Sequence, residues 1–461
     1  MYSLYIRWRT SATESRRSKS CVRSTFPFPF SAPYSSFPAV FPRCYQTTVS
    51  SPAPSAPRRA TRAAFAFIFV TVALDMLALG IMVPVLPKLV IQLEGGDMAL
   101  AASMTGIFGF TWNAMQFLFS PLIGAASDRF GRRPIVLLSN FGLGLDYVLM
   151  ALAPNLAWLF AGRVISGITA ASFSSATAYV ADVSPPEKRA AHLGMIGAAF
   201  GLGFIVGPAV GGLLGQIDLR LPFWVAASLS LANAAYGFFV LPESLPQERR
   251  AKIVWAKASP LGSMALLRSR QALLGLAAVT FLDYVAHESL PSCFVIYTDY
   301  RYGWNERNIG LVLAAVGLST TIVQAALIGP AVKKLGERGA LIAGMALGAV
   351  AFTFYGAASD GAVFLLGIPF GALWGIAAPA LQALMTRQVD PMQQGRLQGA
   401  ISSLRGIGGL IGPLMFTQAF AAAIRKDALL PNPGAPYFLA AILLVACTAA
   451  SAQVTRPATD Q

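Results

Sequence analysis

Charge is what this sequence has least of. Asp, Glu, Lys and Arg together make up 12% of its 461 residues and apolar residues 55%, whereas a soluble domain carries about 25% charged residues. Mean hydropathy is +0.60. A water-soluble globular fold is excluded, and a lipid bilayer becomes the natural solvent. Histidine is nearly absent, at two residues, and the four cysteines, Cys21, Cys44, Cys293 and Cys447, stand apart with no C-x-x-C spacing. That pattern indicates neither a zinc site nor a disulfide framework, so no metal and no cofactor is expected. Catalytic signatures are missing too: there is no H-E-x-x-H, no G-x-S-x-G and no paired catalytic Asp of the intramembrane-protease kind. The chain is therefore not expected to be an enzyme.

What the sequence does have is a set of long apolar runs. A bilayer core of about 30 Å needs about twenty apolar residues per helix. Twelve runs of that kind occur, at 64–90, 99–126, 134–153, 156–181, 190–216, 221–241, 272–297, 308–332, 339–358, 361–385, 397–424 and 435–454. They are numbered here as segments 1 to 12. The longest connection, 242–271, divides them six and six. The expected organisation is a tail over 1–62, a six-helix half over 63–241, a linker over 242–271, a second half over 272–455 and a short tail over 456–461. Residues 1–62 are rich in Ser, Pro and Arg with one acid, Glu14. Such a stretch fits a disordered extension or a start placed too far upstream; an organellar leader is the other reading.

Lys and Arg exceed Asp and Glu by 35 to 20. In a soluble domain that excess would suggest nucleic acid, but here it sorts by loop. Alternate connections, including both termini and the linker, hold twenty Lys and Arg near the segments against six on the other side. By the positive-inside rule both termini and the linker are expected in the cytoplasm, and nucleic-acid binding drops out.

The two halves repeat. "GAASDRFGRRPIVL" from Gly124 returns as "GPAVKKLGERGALI" from Gly329, and Gly207-Pro208 returns as Gly412-Pro413, both at an offset of 205 residues. Gly162 and Gly367, and Gly194 and Gly399, keep that offset. Repeated six-helix halves put a substrate site near the midplane between them, reached alternately from each side by rocking.

Four charges crowd into "SDRFGRRP", residues 127–134, between segments 2 and 3. Arg129, Arg132 and Arg133 suit the cytoplasmic side, and Gly131 allows a tight turn. Asp128 at a helix end can pair with an arginine or with the positive end of a helix in the other half. A contact of that kind would exist only with the cytoplasmic side closed, so Gly124, Asp128, Arg129, Gly131, Arg132 and Arg133 are read as a gating loop.

The pattern G-x-x-x-D-R-x-G-R-R from Gly124 to Arg133 resembles the signature loop of the major facilitator superfamily, and twelve helices in two repeated halves fit it. Other stretches are similar to the drug/proton antiporters, particularly the tetracycline-efflux branch: "TVALDMLALGIMVPVLPKL", "LDYVLMALAP", "GRVISGITAA", "GPAVGGLLG", "LGERGAL" and "ALQALMTRQVDPMQQGRLQGA". The resemblance runs from about residue 64 to 424. It implies an all-α membrane fold and proton-coupled export of a hydrophobic, drug-like small molecule by a monomer. The location implied is a bacterial inner (plasma) membrane. The alternative function is uptake of a small metabolite in the same fold.

Polar residues within the apolar segments carry the site. Arg163 lies in the middle of segment 4, where a lone cation costs several kcal/mol or finds a partner. The candidates are Asp75 in segment 1 and Asp146 in segment 3. The resemblance implies proton coupling for all three, since both acids match acids of the tetracycline-efflux pattern. In segment 7, Asp283 and His287 share a face and Glu288 points about 140° away from Asp283. They form a second proton or cation site, or else lie solvated at the outer interface. Arg405 in segment 11 is a candidate counter-charge.

Gly207, Pro208, Gly211 and Gly212 make segment 5 a close-packing face. Their G-P-x-x-G-G pattern resembles the element typical of antiporters. Gln116, Phe370, Trp374 and Gln382 are the candidate lining of a substrate cavity. The tetracycline exporters carry an acid in segment 9 and a histidine in segment 8, and those positions fall on Gly348 and Thr320 here. Weak handling of tetracycline itself is therefore expected.

Overall fold

In hydrocarbon every backbone N–H and C=O must be satisfied within the chain, which for apolar runs of this length leaves the helix. A computed structural model describes residues 58–170, 173–250, 264–428 and 431–456, and among them there is no strand. In chain order the helices are α1 (Arg58–Met82), α2 (Leu86–Leu93), α3 (Met98–Phe130), α4 (Arg132–Leu152), α5 (Leu156–Ala170), α6 (Phe173–Val183), α7 (Pro186–Gly215) and α8 (Leu221–Val240). They continue as α9 (Gln271–His287), α10 (Ser289–Tyr302), α11 (Glu306–Ile322), α12 (Ile328–Ala357), α13 (Gly361–Trp374), α14 (Ala377–Thr386), α15 (Gln394–Ile424) and α16 (Ala435–Val454). Most of the expected tail and the middle of the linker lie outside the described residues. The first helix begins at Arg58, six residues before the expected start of segment 1.

Ten stretches are long and apolar enough to cross a membrane, so this is a multi-pass membrane protein. One of them, Glu306–Ala357, runs 52 residues. A straight helix of that length would reach roughly 80 Å, far beyond a bilayer core of about 30 Å. It is in fact broken at Gly336, whose φ of 68° is non-helical. A further helix outside the ten, α3, has 33 residues and carries segment 2.

The 205-residue repeat extends to backbone conformation. Gly131, between α3 and α4, has φ 107°, and its counterpart Gly336 also has positive φ. Only glycine enters that region without steric cost, so one local constraint is met twice. The break between α1 and α2 at 83–85 likewise corresponds to the break between α9 and α10 at Glu288. Val83 and Glu288 are 205 residues apart.

Packing divides the same way. Two apolar cores use residues between Phe65 and Leu241. A third draws, Ala102 apart, on residues from Leu266 to Cys447. Two seams join these cores. Along α3 and α15, Gly106 faces Thr417 and Pro413, Asn113 faces Gly409, and Phe117 covers Gly406. Along α7 and α11, Gly212 and Pro208 meet Gly310, and Ile205 meets Gly317. Lipid tails give apolar helices no solvent-driven reason to associate, so small residues that allow close backbone approach dominate both seams.

Beside Gly124, Gly194, Gly329 and Gly395 at the end that bears the central linker, and beside Gly95, Gly96 and Gly303 at the opposite end, the space a side chain would take is open. At the opposite end Lys88 closes the seam: its Nζ lies 2.6 Å from Asp299 and 3.8 Å from Glu306 and donates to the Trp304 carbonyl at 3.1 Å. An ion-paired lysine therefore bridges the two halves at the far end.

Candidate functional site

The geometry decides between the two candidate partners of Arg163. Arg163 on α5 is 4% exposed and Asp146 on α4 is fully buried. Arg163 Nη2 stands 3.6 Å from Asp146 Oδ2. Gly162 makes room for that acid, since a Cβ there would fall 2.7 Å from Asp146 Oδ1. The pair is longer than the roughly 2.7–2.9 Å of a charge-assisted hydrogen bond. Arg163 Nη2 turns instead toward two thioethers, Met150 Sδ at 3.0 Å and Met82 Sδ at 3.2 Å. Thioether sulfur is a weak acceptor, so the guanidinium is enclosed but loosely held.

Asp75 on α1 makes a different bond. Its Oδ1 accepts from Asn233 Nδ2 on α8 at 3.1 Å, and Asn233 also donates to the Thr71 carbonyl at 3.2 Å. Asn233 is a neighbour of Asp75 that the sequence alone did not single out. An amide within the apolar run "SLSLANAAYG" was the available signal, because an amide in lipid is retained only where it finds a partner.

In the C-terminal half the polar residues gather at the break after α9. Asp283 is 8% exposed, and its Oδ1 accepts from the indole N–H of Trp374 at 2.9 Å. The His287 ring lies 5.5 Å from the same indole. Glu288 sits apart, with its methylenes against Gly412 of α15. The face shared by Asp283 and His287, with Glu288 turned away, is therefore observed.

Arg405, the candidate counter-charge, makes no close contact with an acid among the described residues. Its guanidinium lies 4.5 Å over the Tyr284 ring, and among the described residues it forms no ion pair. It does share a small cavity with Asp283 and Gln382. An aromatic face offers a cation a partner that costs no carboxylate.

The four candidate cavity residues separate. Trp374 and Gln382 join the Asp283 group, Phe370 stacks on Phe354 at 5.5 Å between centroids, and Gln116 makes no side-chain hydrogen bond among the described residues. Trp374 also occupies the place that matters for segment 9: a Cβ on Gly348 would fall 2.8 Å from its indole. The Thr320 hydroxyl donates to its own helix, to the Val316 carbonyl at 2.9 Å.

The loop between α3 and α4 is held within its own half. Asp128 pairs with Arg132 at 2.5 Å and Arg132 also reaches Asp182 at 3.2 Å. Glu243 accepts from the Arg132 backbone N–H at 2.9 Å and fills the space where a Cβ on Gly131 would stand. Arg133 donates to the Phe238 carbonyl at 2.6 Å, and Arg129 lies over Phe130. Asp128 is half exposed, with a side-chain accessibility of 50%.

In segment 5 the glycines divide by direction. Gly203, Gly207 and Gly211 pack on Met76, Gly80 and Ile81 of α1, while Gly212 meets α11 of the other half.

Residues 68–413 match the family described as the Major Facilitator Superfamily. The chain is 40% identical to the tetracycline resistance protein of class C from Escherichia coli, over 77% of this chain and 88% of that protein. It is 36% identical to the class G protein from Vibrio anguillarum, over 76% and 88%. Among solved structures, the human organic anion transporter MFSD10 (TETRAN) is 26% identical with a TM-score of 0.62, covering 86% of this chain and all of that one.

Proposed function

This chain belongs to the major facilitator superfamily, and we propose that it exports an amphipathic aromatic drug in exchange for protons, in the manner of the tetracycline resistance proteins it is similar to. The observation that carries the proposal is the loosely held buried ion pair of Arg163 and Asp146, with Asp75 close by in the same half. An exporter driven by protons needs a buried acid whose charge can be neutralised and restored within one cycle, beside a cation that responds to it. Metabolite uptake is the weaker reading, because α7 presents the small-residue face that resembles antiporters.

The orientation follows the loop charges, with both termini and the linker on the cytoplasmic side of a bacterial inner membrane. Twelve crossings are assigned by dividing Glu306–Ala357 at Gly336 and adding α3. The chain works as a monomer, its substrate path lying between its own two halves.

Trp374 covers Gly348, and Thr320 bonds to its own helix. A cationic metal chelate of tetracycline thus lacks a carboxylate in segment 9, an anchor whose Coulombic value rises in low dielectric. Tetracycline is accordingly a weaker substrate than flat aromatic dyes. The test is accumulation of tetracycline, ethidium, chloramphenicol and a quinolone in cells expressing the chain, with and without an uncoupler. Proton-dependent exclusion of a dye stronger than that of tetracycline is expected. Exclusion of tetracycline alone would remove the specificity argument, and no exclusion of any compound would remove the export reading.

Asp128 serves as a latch when the linker end closes, releasing Arg132 to engage a helix end of the other half. Asp128→Asn is expected to keep normal membrane insertion and lower the turnover rate about tenfold, an effect of one charged hydrogen bond of about 1.5–3 kcal/mol. Unchanged turnover in a well-expressed variant excludes the latch.

A further inference from the structure

A cavity of about 40 Å³ lies inside the N-terminal half, lined among others by Thr71, Asp75, Asn140, Tyr147, Ser166 and Ala176. Its walls are unusual for the interior of a membrane protein. Thr71, Asn140 and Ser166 are each 1% exposed. The hydroxyls of Thr71 and Ser166 and both ends of the Asn140 amide have no hydrogen-bond partner in the protein. Leaving one such group unsatisfied costs about 1–3 kcal/mol, so four atoms converging on one space call for a ligand able to both donate and accept. Water is the ligand that meets this need. One water requires roughly 10–15 Å³ of such space and two to four polar partners, so the cavity takes about two or three.

The position of the cavity gives that water a use. Asp75, partly exposed, stands at one side. Ser166 lines it as well, with its hydroxyl close to the buried Asp146 carboxylate, which itself lies outside the lining. Asn140 and Tyr147 lie two turns apart on one face of α4 and both line the cavity. The titratable or charged groups around this space are Asp75 from α1, Asp146 and Tyr147 from α4 and Arg163 from α5; α8 contributes the neutral Asn233.

We infer that this cavity is a hydrated proton conduit joining Asp75 to the Asp146 and Arg163 pair, with Asn140 as the residue that holds its water. A proton leaves the Asp75 carboxyl for the first water, each water passes on a different proton, and the Asp146 carboxylate takes the last. One O–H bond breaks at Asp75, one forms at Asp146, and nothing else is consumed. Arg163 then faces a neutral acid and is free to move. The transport role of this conduit rests on the proton-coupled reading above; its hydration does not.

Two measurements on the full chain in liposomes test the inference. Radiolytic hydroxyl labelling should modify Tyr147, a ring 1% exposed and so reached only by internal water. Asn140→Leu should reduce that labelling at least fivefold. In pyranine-loaded vesicles with tetracycline and ethidium as probes, Asn140→Leu should lower the ratio of uphill export to downhill exchange tenfold or more. Asn140→Ser, which keeps a polar group in the cavity, should restore at least a third of the ratio. Absence of Tyr147 labelling in the wild type overturns the hydrated cavity. An unchanged ratio in Asn140→Leu overturns the conduit. Wild-type vesicles that move neither probe with protons refute the proposed function, while the labelling result still decides the cavity.

Discussion

Asp146→Asn is expected to abolish uphill drug export while leaving downhill exchange measurable. The proton supplies only the driving force, so a carrier that can no longer bind it still rocks with substrate aboard. The variant also leaves Arg163 as a buried cation whose remaining neighbours within hydrogen-bond reach are the thioethers of Met82 and Met150. Removing one partner of a buried ion pair costs about 3–5 kcal/mol. Thermal stability in detergent should therefore fall in Asp146→Asn and recover in the double variant Asp146→Asn with Arg163→Gln, which removes the stranded charge. Coupling should not recover. That split separates a structural pair from a coupling pair: if restored stability brought back uphill export, Asp146 and Arg163 would be scaffold alone, and the coupled proton would travel elsewhere.

Gly207→Leu and Gly212→Leu are expected to be the most damaging single changes outside the charged residues. A Cβ at position 207 would lie 2.6 Å from the Gly80 Cα, and one at 212 would lie 3.0 Å from the Gly310 Cα. Backbone on the far side cannot swing away as a side-chain tip can. Overpacking of this kind costs about 1–3 kcal/mol or more. The two sites fail differently: Gly207→Leu separates α7 from α1 within one half and lowers folded yield. Gly212→Leu wedges the seam with α11 and prevents the far end from closing. Gly197→Leu, on the same helix but facing open space, is the control and should behave as wild type. Fluorescence-detected size exclusion of the three variants, followed by transport of the folded ones, checks the set. Equal yield and transport in all three would mean that the small-residue face does no packing.

The two large effects differ in how far they could be read in advance. The glycines of α7 stand out in a linear string because "GLGFIVGPAVGGLLG" is dense in a residue that costs helix stability and is kept only for close approach. The turn glycine Gly131 was legible because positive φ is a local demand, and the structure repeats that demand at Gly336, at the same offset as the sequence repeat. The helix breaks at 83–85 and Glu288 were not marked, although prolines at Pro84, Pro87 and Pro291 flank them, because hydropathy alone runs straight through them.

Which residues share a site was less accessible. Hydropathy, loop charge and the 205-residue offset established a multi-pass helical bundle with an internal repeat, since each depends on composition or on residues near one another in the chain. The periodicity of 3.6 residues places Asp283 and His287 on one face, but it does not say what that face meets. Azimuth and height of one helix against another decided that Arg163 faces Asp146 and not Asp75, and that Asn233 takes Asp75. The same packing set the Trp374 indole on Asp283 from 91 positions away. It also brought Lys88, near the end of segment 1, against Asp299 and Trp304 of the other half. Partnership between side chains on different helices is a property of packed surfaces, and it exists only once those surfaces have met.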